Sequence, residues 1–488
     1  MFEMEILCRK KEIEILNKVC RSKEAEFLAI YGRRRVGKTY LIRKYFSSKK
    51  VKYFEIIGEK DAPFSEQLEN FATSFGKTFL NGIPIKRPEN WKEAFELVYK
   101  QIKELPKNQK FVFFIDELPW LASKKSRALQ ALDYYWNRYW SNLNNVVLIV
   151  CGSAASWMLD HVINAKGGLH NRLTKTILLK PFNLKGVKLF LEHRDIYLSE
   201  KQVLDLFMVF GGIPYYLNQI EKGKSAAQNV NKICFSEEGL LFSEFDRLFR
   251  SLFDHAELHK LLIRVISSKR YGISREELIH LTKLTSGGTL NKRLNELQSA
   301  GFIQSFIPYG RKKKEYYYKV IDEYCHFYLQ WIEPLKNKGI AAAKSYWQTK
   351  SKTPQAMTWA GYAFESICFK HVNHIQDALE LNVVSCEIGN FRFLPKQGEK
   401  DTGAQIDLLF DRDDGIVTLC EIKYCEKKYS IDKSYARKLL NKMEVFEKNC
   451  RSDKQIFFAL ISVMGLKPTI WSKDMIQNEV TLQDLFSF

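Results

Sequence analysis

At 488 residues the chain is too long for one ordinary hydrophobic core, and about two to four domains are expected. An apolar share of 45% with 27% charged residues excludes a disordered chain, and no apolar run approaches the ~20 residues of a membrane span. The formal charge of +20 favours a polyanionic partner, the alternative being a lysine-rich proteome. Ten scattered cysteines, with no CxxC pair and no zinc-spaced histidines, fit a reduced, cytoplasmic protein. The N-terminus "MFEMEILCRKKEIEIL" is charged from its start and is not expected to be a signal peptide.

The first element is an apolar strand, "FLAIY", followed by a G-x-x-x-x-G-K-T loop from Gly32 through Gly37 and Lys38 to Thr39, and then by a helix. Glycines there let backbone N–H groups turn inward around phosphates at the positive end of a helix. Lys38 is expected on the terminal phosphates of ATP and the Thr39 hydroxyl on Mg²⁺. Arg33, Arg34 and Arg35 fill the loop's variable positions, with no role that the sequence assigns.

"KFVFFIDELPWL" reads as a central parallel strand that ends in Asp116 and Glu117. Asp116 is expected to hold the Mg²⁺ through water, and Glu117 to orient and deprotonate the attacking water. A third strand, "NVVLIVCGSAASWM", carries Ser153 at its tip. That hydroxyl can touch the γ-phosphate or the lytic water, or it can cap the next helix. Strands near Phe27, Val51, Phe111, Val146 and Thr176 alternate with helical stretches, which makes a doubly wound α/β domain.

"YGRRRVGKT", "FFIDELPWL", "CGSAASWM", "NRLTKTILLKPF" and "FGGIPYYL" together resemble the archaeal-type ATPase family of the AAA+ superfamily, from Glu3 to about Phe253. The resemblance implies an N-terminal helix near the adenine, a five-stranded core to residue 183 and a helical lid over 184–253. It also implies an arginine before the last strand, Arg172, that senses the γ-phosphate in cis or from a neighbouring copy of a homo-oligomer; the plain alternative is a surface ion pair. "GGIP", Gly211 to Pro214, would be a sharp turn with Pro214 at the first helical position.

Residues 254–335 carry the rhythm of a winged helix. Ser274 caps one helix, "TLNKRLNELQSAG" is a second with Leu290, Leu294 and Leu297 inward, and a hairpin surrounds "YGRKKK". Such a module places its second helix in the major groove of DNA and its wing on the backbone. Lys292 and Arg293 are the candidate reading residues, and Arg311, Lys312, Lys313 and Lys314 the wing contacts. Winged helices also serve as protein–protein joints.

In residues 336–488, a helix bearing Glu365 precedes "FRFLP", "AQIDLLF", "IVTLCEIKY", a basic helix and "KQIFFALIS". This order resembles the PD-(D/E)xK nucleases, an α/β restriction-endonuclease-like fold, and the module of that type that often follows this ATPase. Asp407 and Glu421-Ile422-Lys423 match the motif, although Gln405 replaces an acid many relatives carry. Period-two alternation puts Glu421 and Lys423 on one face, within reach of Asp407 on the paired strand. The resemblance implies Mg²⁺ on Asp407, Glu421 and the Ile422 carbonyl, catalysis by Lys423, and Glu365 as an outer partner. The alternative is a structural ion pair on an edge strand. The expected function is an ATPase that controls DNA engagement, with possible Mg²⁺-dependent cleavage; the alternative is a nucleotide-switched DNA-binding regulator or scaffold without cleavage.

Overall fold

The computed structural model describes residues 6–123, 125–165, 169, 171–311, 315–339, 345–395, 403–450 and 453–487. The N-terminal apolar runs become five strands: β1 (Glu26–Tyr31), β2 (Lys52–Ile57), β3 (Phe111–Asp116), β4 (Val146–Gly152) and β5 (Lys175–Leu178). They pair in parallel in the order β2-β3-β4-β1-β5. Every residue of β3 and β4 is buried, because helices cover both faces; this is why these strands read as unbroken apolar runs. Phe111, Phe113 and Ile115 face an aromatic layer with Phe54, Phe95 and Trp140, while Val112 and Phe114 join the opposite core. The strand order has a direct consequence for function. The carboxyl ends of β1, β4 and β3 lie side by side, where ligands of parallel sheets bind.

Helices Leu184–Glu192, Glu200–Phe210, Pro214–Leu217, Ala226–Phe235 and Glu244–Leu252 follow. Gly212 is held against the backbone of the segment entering them: a Cβ there would lie 1.8 Å from the Phe182 carbonyl oxygen. Pro214 does begin the next short helix. Next come helices Ala256–Ser267, Arg275–Thr282 and Gly288–Ser299 with β6 (Ile273–Ser274), β7 (Ile303–Phe306) and β8 (Tyr317–Val320), paired β6-β8-β7. The Ser274 side chain accepts from the Glu277 N–H, as its position before an acidic turn predicts. The two-residue β6 was not expected, since so short a strand leaves no alternation to read.

The last part has helix Pro354–Lys370, then the antiparallel β9 (Cys386–Phe393), β10 (Ala404–Arg412) and β11 (Ile416–Lys423). β12 (Tyr429–Ser430) and β14 (Leu466–Lys467) form a separate small ladder. Helix Lys433–Cys450 leads to β13 (Gln455–Ser462), which runs parallel to β11, and β15 (Asn478–Thr481) closes the order β15-β13-β11-β10-β9. β11 is therefore central, not an edge strand. One continuous apolar core reaches from Leu16 to Phe486, and polar ties reinforce it: the Leu184 N–H donates to His371 Nε2 at 3.1 Å and the Tyr424 hydroxyl to Asp205 at 2.9 Å. Among the described residues no helix is long and apolar enough to cross a membrane.

Candidate active site

The loop after β1 is shaped by glycine where no other residue fits. Gly32 has φ +138, and a Cβ on it would meet the Leu179 carbonyl oxygen at 2.4 Å. Gly37, at φ +93, heads helix Lys38–Ser47. Lys38 is 5% exposed. Its ammonium donates to the carbonyls of Gly32 at 3.0 Å and Arg33 at 3.1 Å and to Ser153 Oγ at 3.0 Å. All three donors thus lie across the loop's mouth, on neutral acceptors that phosphate oxygens outcompete.

Thr39 Oγ1 donates to Asp116 Oδ2 at 2.7 Å. Burial pushes the Asp116 carboxyl up, while hydrogen bonds from Thr39 and Cys151 pull it back and Glu117 adds to the rise. Hydroxyl and carboxylate are hard oxygen donors side by side at the helix start, the donor set Mg²⁺ takes when it also keeps waters and phosphates. Glu117 follows in a left-handed conformation, φ +50, uncommon for a residue with a side chain and a mark of functional constraint. Its carboxylate is clasped by Ser153: Oε1 accepts from the hydroxyl at 2.5 Å and Oε2 from the backbone N–H at 3.0 Å. Gly58 backs this turn, since a Cβ there would sit 2.4 Å from the Glu117 carbonyl oxygen.

Ser153 is not a helix cap. The helix Ala155–Met158 has Ala154 at its cap position, so the hydroxyl is left to Lys38 and Glu117. A cavity of about 590 Å³ opens beside the loop, between Arg9, Phe182, Phe190, Tyr215, Glu117 and Ser153. Sequence reasoning missed its aromatic walls, because the packing of the helices after β5 selects which rings face inward. Arg9 ties the N-terminal helix to the loop by donating to the Lys180 carbonyl at 2.8 Å and the Val36 carbonyl at 3.3 Å. Arg172 is exposed and does not line this cavity; its charge acts on Asp133 instead. The phosphate site of its own chain is therefore out of its company in this arrangement.

The tail brings Asp407 and Glu421 onto neighbouring strands, with Asp407 at a bulge where the β9–β10 register shifts between Ile406 and Leu409. Bulges re-aim a side chain. Asp407 accepts from the Ile422 N–H at 3.3 Å and the Gln405 amide at 2.9 Å. Burial, with Glu421 and Glu365 adding to it, pushes its carboxyl up to about 7. Glu421 is occupied: Lys423 and Tyr435 donate to Oε1 at 2.6 and 2.5 Å, and Lys442 to Oε2 at 2.5 Å. Burial alone would raise its carboxyl, but Lys442 and Lys423 hold it below the usual range. Glu365 pairs with Arg270 at 3.2 Å.

Among the described residues no group of three or more His, Cys, Asp or Glu side chains is placed to hold a metal. Of the carboxylates expected around Mg²⁺ with the Ile422 carbonyl, Glu421 is paired with ammonium groups and the outer partner Glu365 with a guanidinium, whereas Asp407 accepts only from the Ile422 N–H and the Gln405 amide. Lys423 is paired with Glu421. Sequence reading missed Lys442, Tyr435 and Arg270, which only the packing of distant elements brings in. A folded carboxyl raised this way is destabilised as pH climbs from about 4 towards its folded value, because the unfolded chain releases that proton more readily. Asp407→Asn should therefore raise the melting temperature relative to wild type at about pH 8 and gain less at about pH 5. Thermal melts across pH check this, and a pH-independent difference would remove the buried-acid assignment.

On helix Gly288–Ser299, Lys292 is exposed but Arg293 is not free to read bases. It is 12% exposed and pairs at 2.7 Å with Glu296, which also meets His259 Nε2 at 2.7 Å. The reason is helical spacing: Arg293 and Glu296 are three apart and turn together towards helix Ala256–Ser267. Arg311 lies 3.6 Å from Glu315, and Lys312, Lys313 and Lys314 lie outside the described residues. The exposed face with Asn291, Lys292 and Asn295 lines a cleft of about 440 Å³ against Ser156, Asp160 and Asn164, just beyond Ser153.

Residues 7–220 match the family described as an ATPase domain predominantly from Archaea. An uncharacterized protein of Methanocaldococcus jannaschii is 24% identical over 443 residues, 90% of this chain and 91% of that one. An uncharacterized ATP-binding protein of the same organism is 24% identical over 321 residues, 57% of this chain and 86% of that one. Among solved structures, a Walker-type ATPase of Pyrococcus abyssi matches at 17% identity and a TM-score of 0.45, covering 67% of this chain and 96% of its own. The ORC2 protein of Aeropyrum pernix matches at 16% identity and a TM-score of 0.43, covering 72% and 96%. The phosphate loop, the Asp116–Glu117 pair and Ser153 all lie inside the matched segment, so residues 7–220 carry the ATP-binding P-loop features of the predominantly archaeal ATPase family whose model they match.

Proposed function

We propose that the chain hydrolyses ATP at the Lys38–Glu117 site and uses the nucleotide state to control DNA engagement by a winged-helix module at residues 254–335. The observation that carries the hydrolytic reading is the clasp of Ser153 on Glu117 beside Lys38 and the Thr39–Asp116 pair. On ATP entry Lys38 exchanges its carbonyl acceptors for phosphate oxygens. Thr39 and Asp116 would hold Mg²⁺, which would neutralise phosphate charge. Glu117 accepts the proton of the attacking water, and Ser153, released from its donor Lys38, positions that water or the γ-phosphate. Arg172, exposed on its own chain, is the group a second copy would present.

DNA as the partner is supported by the charge of +20 and by exposed Lys292. Because the helix face bearing Lys292 lines the cleft beside Ser156–Asn164, duplex binding requires that cleft to open. The tail, with its Asp407, Glu421 and Lys423, is read as a nuclease-like domain at rest. Salt-dependent retention of duplex DNA, with and without ATP and Mg²⁺, tests the proposal. Lys292→Ala should shrink the slope of log affinity against log salt by up to about 0.9, one phosphate contact. No salt-dependent retention in any nucleotide state would leave an ATPase scaffold without DNA. Nicking of supercoiled plasmid separates a cleaving from a non-cleaving protein.

A further inference from the structure

The phosphate loop carries three consecutive arginines that hydrolysis leaves unexplained. A guanidinium serving phosphate would be aimed into the nucleotide cavity. Arg33 is aimed elsewhere. It is 7% exposed, forms an ion pair with the fully buried Asp322, and lies 5.1 Å over the ring of Phe302. Arg35 borders the cavity, yet it sits 2.7 Å from the fully buried Glu244 and 4.2 Å over the ring of Tyr215, with its backbone in a left-handed conformation at φ +72.

Both acids are fixed by their own elements. Asp322 accepts from the Cys325 N–H at 2.7 Å and so caps helix Glu323–Phe327. Glu244 accepts from the Tyr216 hydroxyl at 3.1 Å in the first turn of helix Glu244–Leu252. The ties therefore run from the loop to two elements far along the chain. The Arg33 tie also meets the active site in a single residue, because the carbonyl of Arg33 is one of the acceptors that Lys38 must leave when ATP enters. Buried ion pairs are poor sources of stability compared with apolar packing of equal volume, so register is the better account of their presence.

We propose that Asp322 and Glu244 are positioning residues for ATP binding: through Arg33 and Arg35 they hold the phosphate loop in its anion-receiving shape. By linkage, whatever helices Glu244–Leu252 and Glu323–Phe327 contribute to ATP affinity, ATP returns to their seating. The inference rests on the reading of Lys38 as the phosphate-binding lysine.

The test uses the full chain and ATP itself, with affinity from calorimetry and steady-state hydrolysis. Two neutralised pairs avoid orphaned charges: Arg33→Met with Asp322→Asn, which keeps the helix cap, and Arg35→Met with Glu244→Gln, which keeps an acceptor for Tyr216. The expected result for each is a melting temperature near that of wild type, with Kd and KM for ATP raised about tenfold or more and kcat within about threefold. Hydrogen exchange in helix Glu323–Phe327 should slow on ATP binding in wild type and not in the Arg33–Asp322 pair variant. Wild-type ATP affinity in both pair variants would make the ion pairs structural only and overturn the inference while leaving the ATP site intact. Equal loss of KM and kcat with a collapsed melting temperature would also overturn it. A wild-type chain that does not bind ATP, or a Lys38→Ala variant that binds it normally, would instead bring down the underlying reading.

Discussion

Glu117→Gln is expected to leave ATP bound and almost unhydrolysed. The carboxylate is held within hydrogen-bond reach of the phosphate-loop lysine's partner, Ser153, by two bonds, at 2.5 and 3.0 Å. An amide of the same shape keeps one acceptor for one of those bonds, so the turn and cavity persist. It cannot take a proton from water. General-base catalysis contributes about 10²- to 10⁴-fold, and turnover should fall by that order while ATP affinity stays within about threefold. Single-turnover hydrolysis together with ATP calorimetry reads both quantities. Normal turnover in Glu117→Gln would assign water activation to another group, and lost binding would make Glu117 part of the nucleotide cradle.

Lys38→Ala should show the opposite division. The ammonium supplies a full positive charge to the terminal phosphates, and in the free protein it donates to two carbonyls and a hydroxyl. Charge-assisted hydrogen bonds contribute about 1.5–3 kcal/mol each, so ATP affinity should fall by at least about 10- to 100-fold. Without nucleotide the melting temperature should change little. With ATP, wild type gains about 2.7 kcal/mol at a hundredfold excess over Kd, and the variant should lose most of that gain. Thermal melts with and without ATP and Mg²⁺ decide it. An undiminished ATP-induced shift in Lys38→Ala would exclude this loop as the phosphate site.

The two variants together separate binding from chemistry, which matters for the DNA reading. If nucleotide occupancy is the signal, Glu117→Gln should hold the chain in the ATP-bound state and Lys38→Ala in the free state. Any difference in DNA retention between them then reports coupling rather than hydrolysis.

Local sequence was sufficient for the phosphate loop, the five strands of the core and the acid pair at the end of β3. Each is written in a stretch of contiguous residues whose periodicity or glycine placement has one reading: Gly32 and Gly37 at positive φ, and "FVFFID" buried throughout. The cap at Ser274 and the turn at Gly211–Pro214 were legible for the same reason, since caps and turns are decided within a few residues. Tertiary structure alone decided what each polar side chain faces. Ser153 had two local readings, and only the adjacency of β4 to β3 and β1 gives its hydroxyl to Glu117 and Lys38. Arg33 and Arg35 have no role that the sequence assigns, and in the fold they pair with the fully buried Asp322 and Glu244. Glu421 and Lys423 are spaced for a metal site, yet Lys442 and Tyr435 from the following helix complete an ion cluster around Glu421, and Arg270 claims Glu365. The physical reason is the same in each case. Backbone conformation follows from short-range sterics and hydrogen bonds, whereas the partner of a buried charge is chosen by whichever distant segment arrives beside it, and no local pattern encodes that segment.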